Sequence, residues 1–191
     1  MPDANKVKFA LKSAYFAPIT INDDGTFSYG TPKREKGAIA LSLSTTGKTQ
    51  TLKADAIDYY VGSSNDGYEG DLEMAIISDE FKRNYLGETQ DTNGLQFENL
   101  NDEVKPFAFL FEFMGDKKNT RHCLFHCYAS KPAIEGENPD NAKTPKTEKV
   151  SIKAIPREAD DMVKCSTTAE TSQSAYDAFF NSVPEFTAKS K

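Results

Sequence analysis

This 191-residue sequence predicts a mainly β fold, sandwich- or barrel-like, with one flanking helix and a short C-terminal helix. Three observations carry that prediction. Phe107, Phe109, Phe111 and Phe113 alternate with Ala108, Leu110, Glu112 and Met114, which is the period of a strand. Glu69, Asp71 and Glu73 alternate in the same way with Leu72, Met74 and, further on, Ile76. Turn signals punctuate the apolar runs, among them Asn22-Asp23-Asp24-Gly25, Asn65-Asp66-Gly67 and Gly115-Asp116-Lys117-Lys118. A chain of this length is expected to form a single domain, residues 1–191, burying roughly 70% of its unfolded surface.

In chain order, the loose alternation of Lys6 to Tyr15 predicts a first strand, and a short strand to Tyr29 follows the Asn22–Gly25 turn. Ile39, Leu41 and Leu43 alternate with small or polar residues and predict another. Ser44 to Gln50 is polar around Gly47, so a loop or extended hairpin is expected over residues 44–53, with little reason to pack on its own core. Next comes the acidic-apolar strand from Glu69. A helix over 78–86 is then read from the capping residue Ser78, from Asp79 and Glu80 at its positive end, from Lys82 and Arg83, and from the closing Gly87; Phe81 and Tyr85 share its buried face. Leu95–Glu98 predicts a short strand. The phenylalanine strand turns at Gly115 into Thr120–Ala129. Three prolines within 132–147 predict a long loop, Val150, Ile152 and Ala154 point a further strand inward, and Tyr176, Phe179, Phe180 and Val183 follow helical spacing.

Charge narrows the function classes. The net charge is −6, and residues 55–104 hold 13 acids against only Lys82 and Arg83. That balance argues against a surface built to grip nucleic acid or an anionic membrane. Three cysteines, an odd number, make a disulfide framework unexpected and point to synthesis in a reducing cytosol. No signal peptide is expected, because Asp3, Lys6 and Lys8 interrupt the start of the chain; Phe107–Phe111 is far too short to span a bilayer.

The strongest enzymatic pattern is Arg121-His122-Cys123-Leu124-Phe125-His126-Cys127. On a helix its paired histidines and cysteines could hold zinc. On the strand that the preceding turn favours, each pair lies roughly 13 Å apart and neighbours face opposite sides, so no metal is expected. Glu69, Asp71, Glu73 and Glu112 could be paired catalytic carboxylates, since alternate strand residues lie about 6.5–7 Å apart. Yet there is no Trp for a sugar platform and no calcium-loop spacing. Phosphate-binding glycine loops and the serine-hydrolase elbow are missing too, as Thr46-Gly47-Lys48-Thr49 lacks the first glycine of a P-loop. The residues therefore predict no enzyme and no cofactor. An acidic surface that repels phosphate, or a β-sandwich that binds ligand or hydrolyses substrate on that face, are the readings left open.

Over nearly its whole length the chain resembles the major tail tube proteins of long-tailed, non-contractile bacteriophages of Gram-positive hosts. The order and spacing of many pieces carry the resemblance: Asn5-Lys6-Val7-Lys8-Phe9, Tyr29-Gly30-Thr31-Pro32, Ala54-Asp55 with Tyr59-Tyr60, and Gly67-Tyr68-Glu69-Gly70-Asp71-Leu72-Glu73. Leu86-Gly87-Glu88-Thr89, Lys105-Pro106-Phe107-Ala108 and Phe111-Glu112-Phe113 with Gly115-Asp116-Lys117-Lys118 continue it. Thr120-Arg121-His122 and Ala129-Ser130-Lys131-Pro132 complete it.

The resemblance implies a structural virion protein. Six copies would form a ring, and rings would stack into a tail tube that conducts genomic DNA into the host. Tape measure, tail tip and tail terminator proteins would be partners, and DNA would pass without specific binding. Loops and terminal arms would reach the neighbouring ring, with Thr46, Gly47, Lys48 and Thr49 as the candidate inter-ring loop. Glu69, Asp71, Glu73 and Glu112 are the candidate lumen-facing residues, because a channel for DNA should repel phosphate. Some relatives carry an additional immunoglobulin-like C-terminal domain, which is not expected here. A phage-derived injection device built from the same tube is the alternative.

Overall fold

The computed structural model describes residues 4–136 and 145–188. Part of the loop expected over 132–147 and the extreme ends of the chain lie outside the described residues. In chain order the elements begin with β1 (Lys8–Ile21), β2 (Phe27–Tyr29), β3 (Lys33–Glu35) and β4 (Ala38–Thr45). There follow β5 (Thr49–Ala54), β6 (Ile57–Ser63), β7 (Tyr68–Met74) and helix α1 (Asp79–Tyr85). The remainder comprises β8 (Thr89–Gln90), β9 (Gln96–Phe97), β10 (Phe107–Gly115), β11 (Thr120–Ala129), β12 (Glu148–Ala154), β13 (Lys164–Ser166) and α2 (Gln173–Ala178). The fold is mainly β, as the alternation predicts.

The main sheet runs β2-β1-β10-β11-β12-β7-β4, with β3 added to β1 and β13 to β11. All its pairings are antiparallel. The last strand, β4, comes back beside β1, so the sheet curls around a core. That core takes Phe16, Leu72, Met74, Phe107, Phe109, Phe111, Leu124, Val150 and Ile152 from the strands, and Phe81 and Tyr85 from α1. Phe16 is stacked on Phe109 at 5.0 Å between ring centroids and meets Phe81 and Phe107 edge-on at 4.8 and 5.3 Å, the offset and perpendicular geometries that aromatic quadrupoles favour.

Strand β1 is longer than the alternation up to Tyr15 suggests. It continues through Pro18, which pairs opposite Phe107. Proline lacks an N–H but still accepts, and the Pro18 carbonyl takes the Gly30 N–H at 2.9 Å. Helix α1 follows its capping residues closely: Ser78 Oγ accepts the Phe81 N–H, and Gly87 adopts φ +84° just after the helix. Helix α2 stops at Ala178, short of the helix through Val183 that the apolar spacing predicts. Val183 precedes Pro184, which disfavours helical backbone at Val183. A turn closed by the Asn181 N–H on the Ala178 carbonyl still carries Phe179 and Val183 inward.

This C-terminal segment builds a second core on the opposite face of β1, β10 and β11. Ala17, Ala108, Leu110, Cys123 and Phe125 are covered there by Phe179 and Val183, with Tyr15 stacked on Phe180 at 4.3 Å. Arg157 anchors the segment. Its guanidinium is paired with Asp160 at 2.5 Å and Glu185 at 3.3 Å and lies over the Phe125 ring at 4.6 Å. The centre of the sheet is therefore buried on both faces, whereas among the described residues β12, β7 and β4 are covered on one only.

Candidate assembly surfaces

Three places concern the residues singled out above: the uncovered face of β12-β7-β4, the buried Glu112, and a two-stranded arm that leaves the body.

On β7, Glu69 and Asp71 are exposed and Glu73 is half-buried, all on the face away from the core that receives Leu72 and Met74. Strand register sets their neighbours. Glu69 lies between Ser44 and Lys153, Asp71 between Ser42 and Ser151, and Glu73 between Ala40 and Lys149. Ser151 Oγ donates to Asp71 at 2.7 Å, Thr147 Oγ1 donates to Glu73 at 2.6 Å, and Lys149 Nζ lies 3.8 Å from Glu73. The three predicted acids do share one open face, as strand period requires. That face is mixed rather than purely acidic: hydroxyls and two lysines answer three carboxylates. Local charge along the chain does not reveal this, because the lysines of β12 come alongside only through strand pairing.

Glu112 does not belong with them, and its expected lumen-facing place is corrected. Its residue is only 3% exposed. Arg121 Nε donates to its carboxylate at 2.7 Å, Asn119 Nδ2 donates at 3.1 Å, and Lys12 Nζ lies 3.5 Å away. Arg121 also donates to the Tyr176 carbonyl and stacks over the Tyr176 and Phe180 rings at 3.8 and 4.7 Å. Glu112 alternates away from the phenylalanines as expected, but the C-terminal segment covers that side of β10. The acid is half of a latch that holds this cover down.

Thr46, Gly47, Lys48 and Thr49, expected as an inter-ring loop, form the root of a hairpin arm rather than its tip. The Thr46 N–H donates to the Gly67 carbonyl at 3.1 Å, and Lys48 exchanges hydrogen bonds with Ser64. A Cβ on Gly47 would come within 1.9 Å of the Ser64 carbonyl oxygen, so only glycine allows the two chain segments to lie this close. Thr49 opens β5, which pairs with β6 as a separate two-stranded sheet. The tip of this arm is Asp55-Ala56, with φ +52° and +64°. Two consecutive positive φ values are the mark of a type I′ hairpin turn.

Along the arm Leu52, Ile57, Tyr59, Tyr60 and Val61 stand 59–72% exposed. Sequence reasoning gave them no role in assembly, although Tyr59-Tyr60 figure in the resemblance and Leu52 falls in the expected 44–53 loop. The run Ile57-Asp58-Tyr59-Tyr60-Val61 is rich in strand-forming residues and could have been found by propensity. The turn signal failed because Asp-Ala stands where Asn-Gly or Asp-Gly is usual.

The His-Cys segment is on β11, as predicted. A register shift between Phe107–Cys127 and Phe109–Leu124 marks a bulge in it. The bulge sends Cys123 into the second core and Cys127 into the first. His122 stacks on Phe111 at 5.1 Å, and burial pushes its pKa down to about 4, helped by the nearby Lys164 and Lys8 ammonium groups. His126 Nε2 shares a hydrogen bond with the Tyr128 hydroxyl at 3.1 Å. Among the described residues no group of three or more His, Cys, Asp or Glu is placed to hold a metal ion, and no helix is long and apolar enough to cross a membrane.

Neither a protein-family model nor a curated protein sequence matches this chain.

Proposed function

We propose that this chain is a structural, non-catalytic virion subunit whose hexameric rings stack into a phage tail tube. The observation that carries the proposal is the β5-β6 arm. A two-stranded ribbon is at best marginally stable alone in water, and this one exposes five large apolar side chains to solvent. Each would contribute about 1.5–3 kcal/mol on full burial. A closed ring and its neighbours could supply such burial, whereas the described residues of a single subunit leave these side chains mostly exposed.

In this reading the β12-β7-β4 face lines the channel. Per copy it offers three carboxylates, two ammonium groups and the hydroxyls of Ser42, Ser44 and Ser151. That wall is weakly negative and hydroxyl-rich, and it lacks the basic cluster that would make DNA stick. Tape measure, tail tip and terminator proteins are the partners expected of such a tube, and the tail is its expected location.

The test is electron microscopy with light scattering over a concentration series, comparing the parent with the double variant Tyr59→Ser/Tyr60→Ser. Six-fold hollow rings or tubes are expected for the parent. The variant should lose them while its Tm stays within about 2 °C, because the substituted side chains touch little in the subunit. A compact oligomer without ring geometry would overturn the proposal, and an arm variant that assembles like its parent would overturn the arm's part in it.

A further inference from the structure

Cys123 and Cys165 are register partners across the antiparallel β11-β13 pair. Two residues to either side, the Thr167 N–H donates to the Arg121 carbonyl at 2.9 Å and the Phe125 N–H donates to the Val163 carbonyl at 3.0 Å. Antiparallel pairs alternate in type, so Cys123–Cys165 belongs to the same hydrogen-bonded class, with Cα atoms about 5.5 Å apart. Disulfides span Cα separations of about 4.4–6.8 Å, most often about 5.5–6 Å. Both side chains point into the second core: Cys123 is fully buried there and Cys165 partly. The third thiol cannot compete, because the β11 bulge places Cys127 in the other core.

We propose that Cys123 and Cys165 are a disulfide-forming modification site, open as two thiols in this structure and closed by a peroxide oxidant. The Cys165 thiol, the more accessible of the two, gives up its proton, and its sulfur attacks one peroxide oxygen. The O–O bond breaks, releasing one water and leaving a sulfenic acid on Cys165. The Cys123 sulfur then attacks the Cys165 sulfur; the S–O bond breaks, and the departing hydroxide takes the Cys123 proton as a second water. Two thiols have lost two electrons and two protons to one hydrogen peroxide. The order of attack agrees with the surroundings, since burial pushes the Cys123 thiol up while its hydrogen bond holds the Cys165 thiol down.

The bridge ties β13 to β11 and thereby fastens the segment that covers the second core. A chain made in a reducing cytosol would carry the open pair and close it on meeting an oxidising medium. The inference rests on strand register and stands apart from the tube reading.

The purified full-length chain is treated with hydrogen peroxide, denatured, and titrated for thiols, and its non-reduced digest is mapped by mass spectrometry. Three thiols are expected before treatment and one after, with a single cross-linked peptide pair joining Cys123 to Cys165. Cys127→Ser should fall from two thiols to none, and Cys165→Ser should keep both. Retention of all three thiols overturns the proposal. Linkage through Cys127 or between chains, or terminal oxidation of Cys165 to the sulfinic acid, does so equally.

Discussion

Replacing Arg121 by alanine tests whether Glu112 is a latch or a surface acid. Arg121 supplies the 2.7 Å contact to Glu112, reaches the Tyr176 carbonyl, and covers the rings of Tyr176 and Phe180. Removing it leaves a carboxylate whose side chain is 4% exposed, with Asn119 and the half-exposed Lys12 as its remaining partners. Breaking a buried ion pair from one side costs about 3–5 kcal/mol when nothing replaces the lost partner. Lys12, at 3.5 Å, can recover part of that, which places the expected loss at about 3 kcal/mol. Urea unfolding should show it as a lower midpoint at unchanged slope, together with a fall in Tm of about 6–12 °C.

Glu112→Gln should cost nearly as much, and the double variant should reveal a coupling of about 2 kcal/mol. Asp71→Asn, on the open face, should stay within about 0.5 kcal/mol. If Arg121→Ala and Glu112→Gln each cost less than about 1 kcal/mol, the pair behaves as a surface salt bridge, and the covering role of the C-terminal segment is refuted.

Two further outcomes follow from single residues. His122 binds its proton only near pH 4 in the folded chain but near 6.5 when unfolded. Its contribution is therefore complete above about pH 6.5 and is lost as pH falls toward 4. With the ring partly open to water, His122→Phe should remove about 1 kcal/mol of the stability difference between pH 7 and pH 5; an unchanged pH profile would contradict this. A Cβ at position 70 would lie 1.9 Å from the Ser42 carbonyl oxygen, so Gly70→Ala should part β7 from β4. A loss of roughly 1–3 kcal/mol is expected, and exchange of the β4 amides should speed up first.

What residue order determines and what the folded chain decides differ in the range of the forces involved. Alternation and capping are local, so the Phe107–Phe113 strand, the acid row on β7, the Ser78 cap and the turn at Gly115 were legible from residue order alone. Sequence by itself also determined that Glu69, Asp71 and Glu73 share one face, because the period of a strand permits nothing else. Whether a face meets water is not a local property. Glu112 and Asp71 both alternate away from their strand's apolar side, yet only Glu112 lies beneath a segment some sixty residues downstream. The arm turns on Asp55-Ala56 at positive φ, a conformation that this dipeptide does not advertise. The β11 bulge, which assigns Cys123 and Cys127 to separate cores, arises from pairing with β10. Tertiary structure decided these points because burial, register and bulges depend on which strands meet, and no short window of sequence contains both partners.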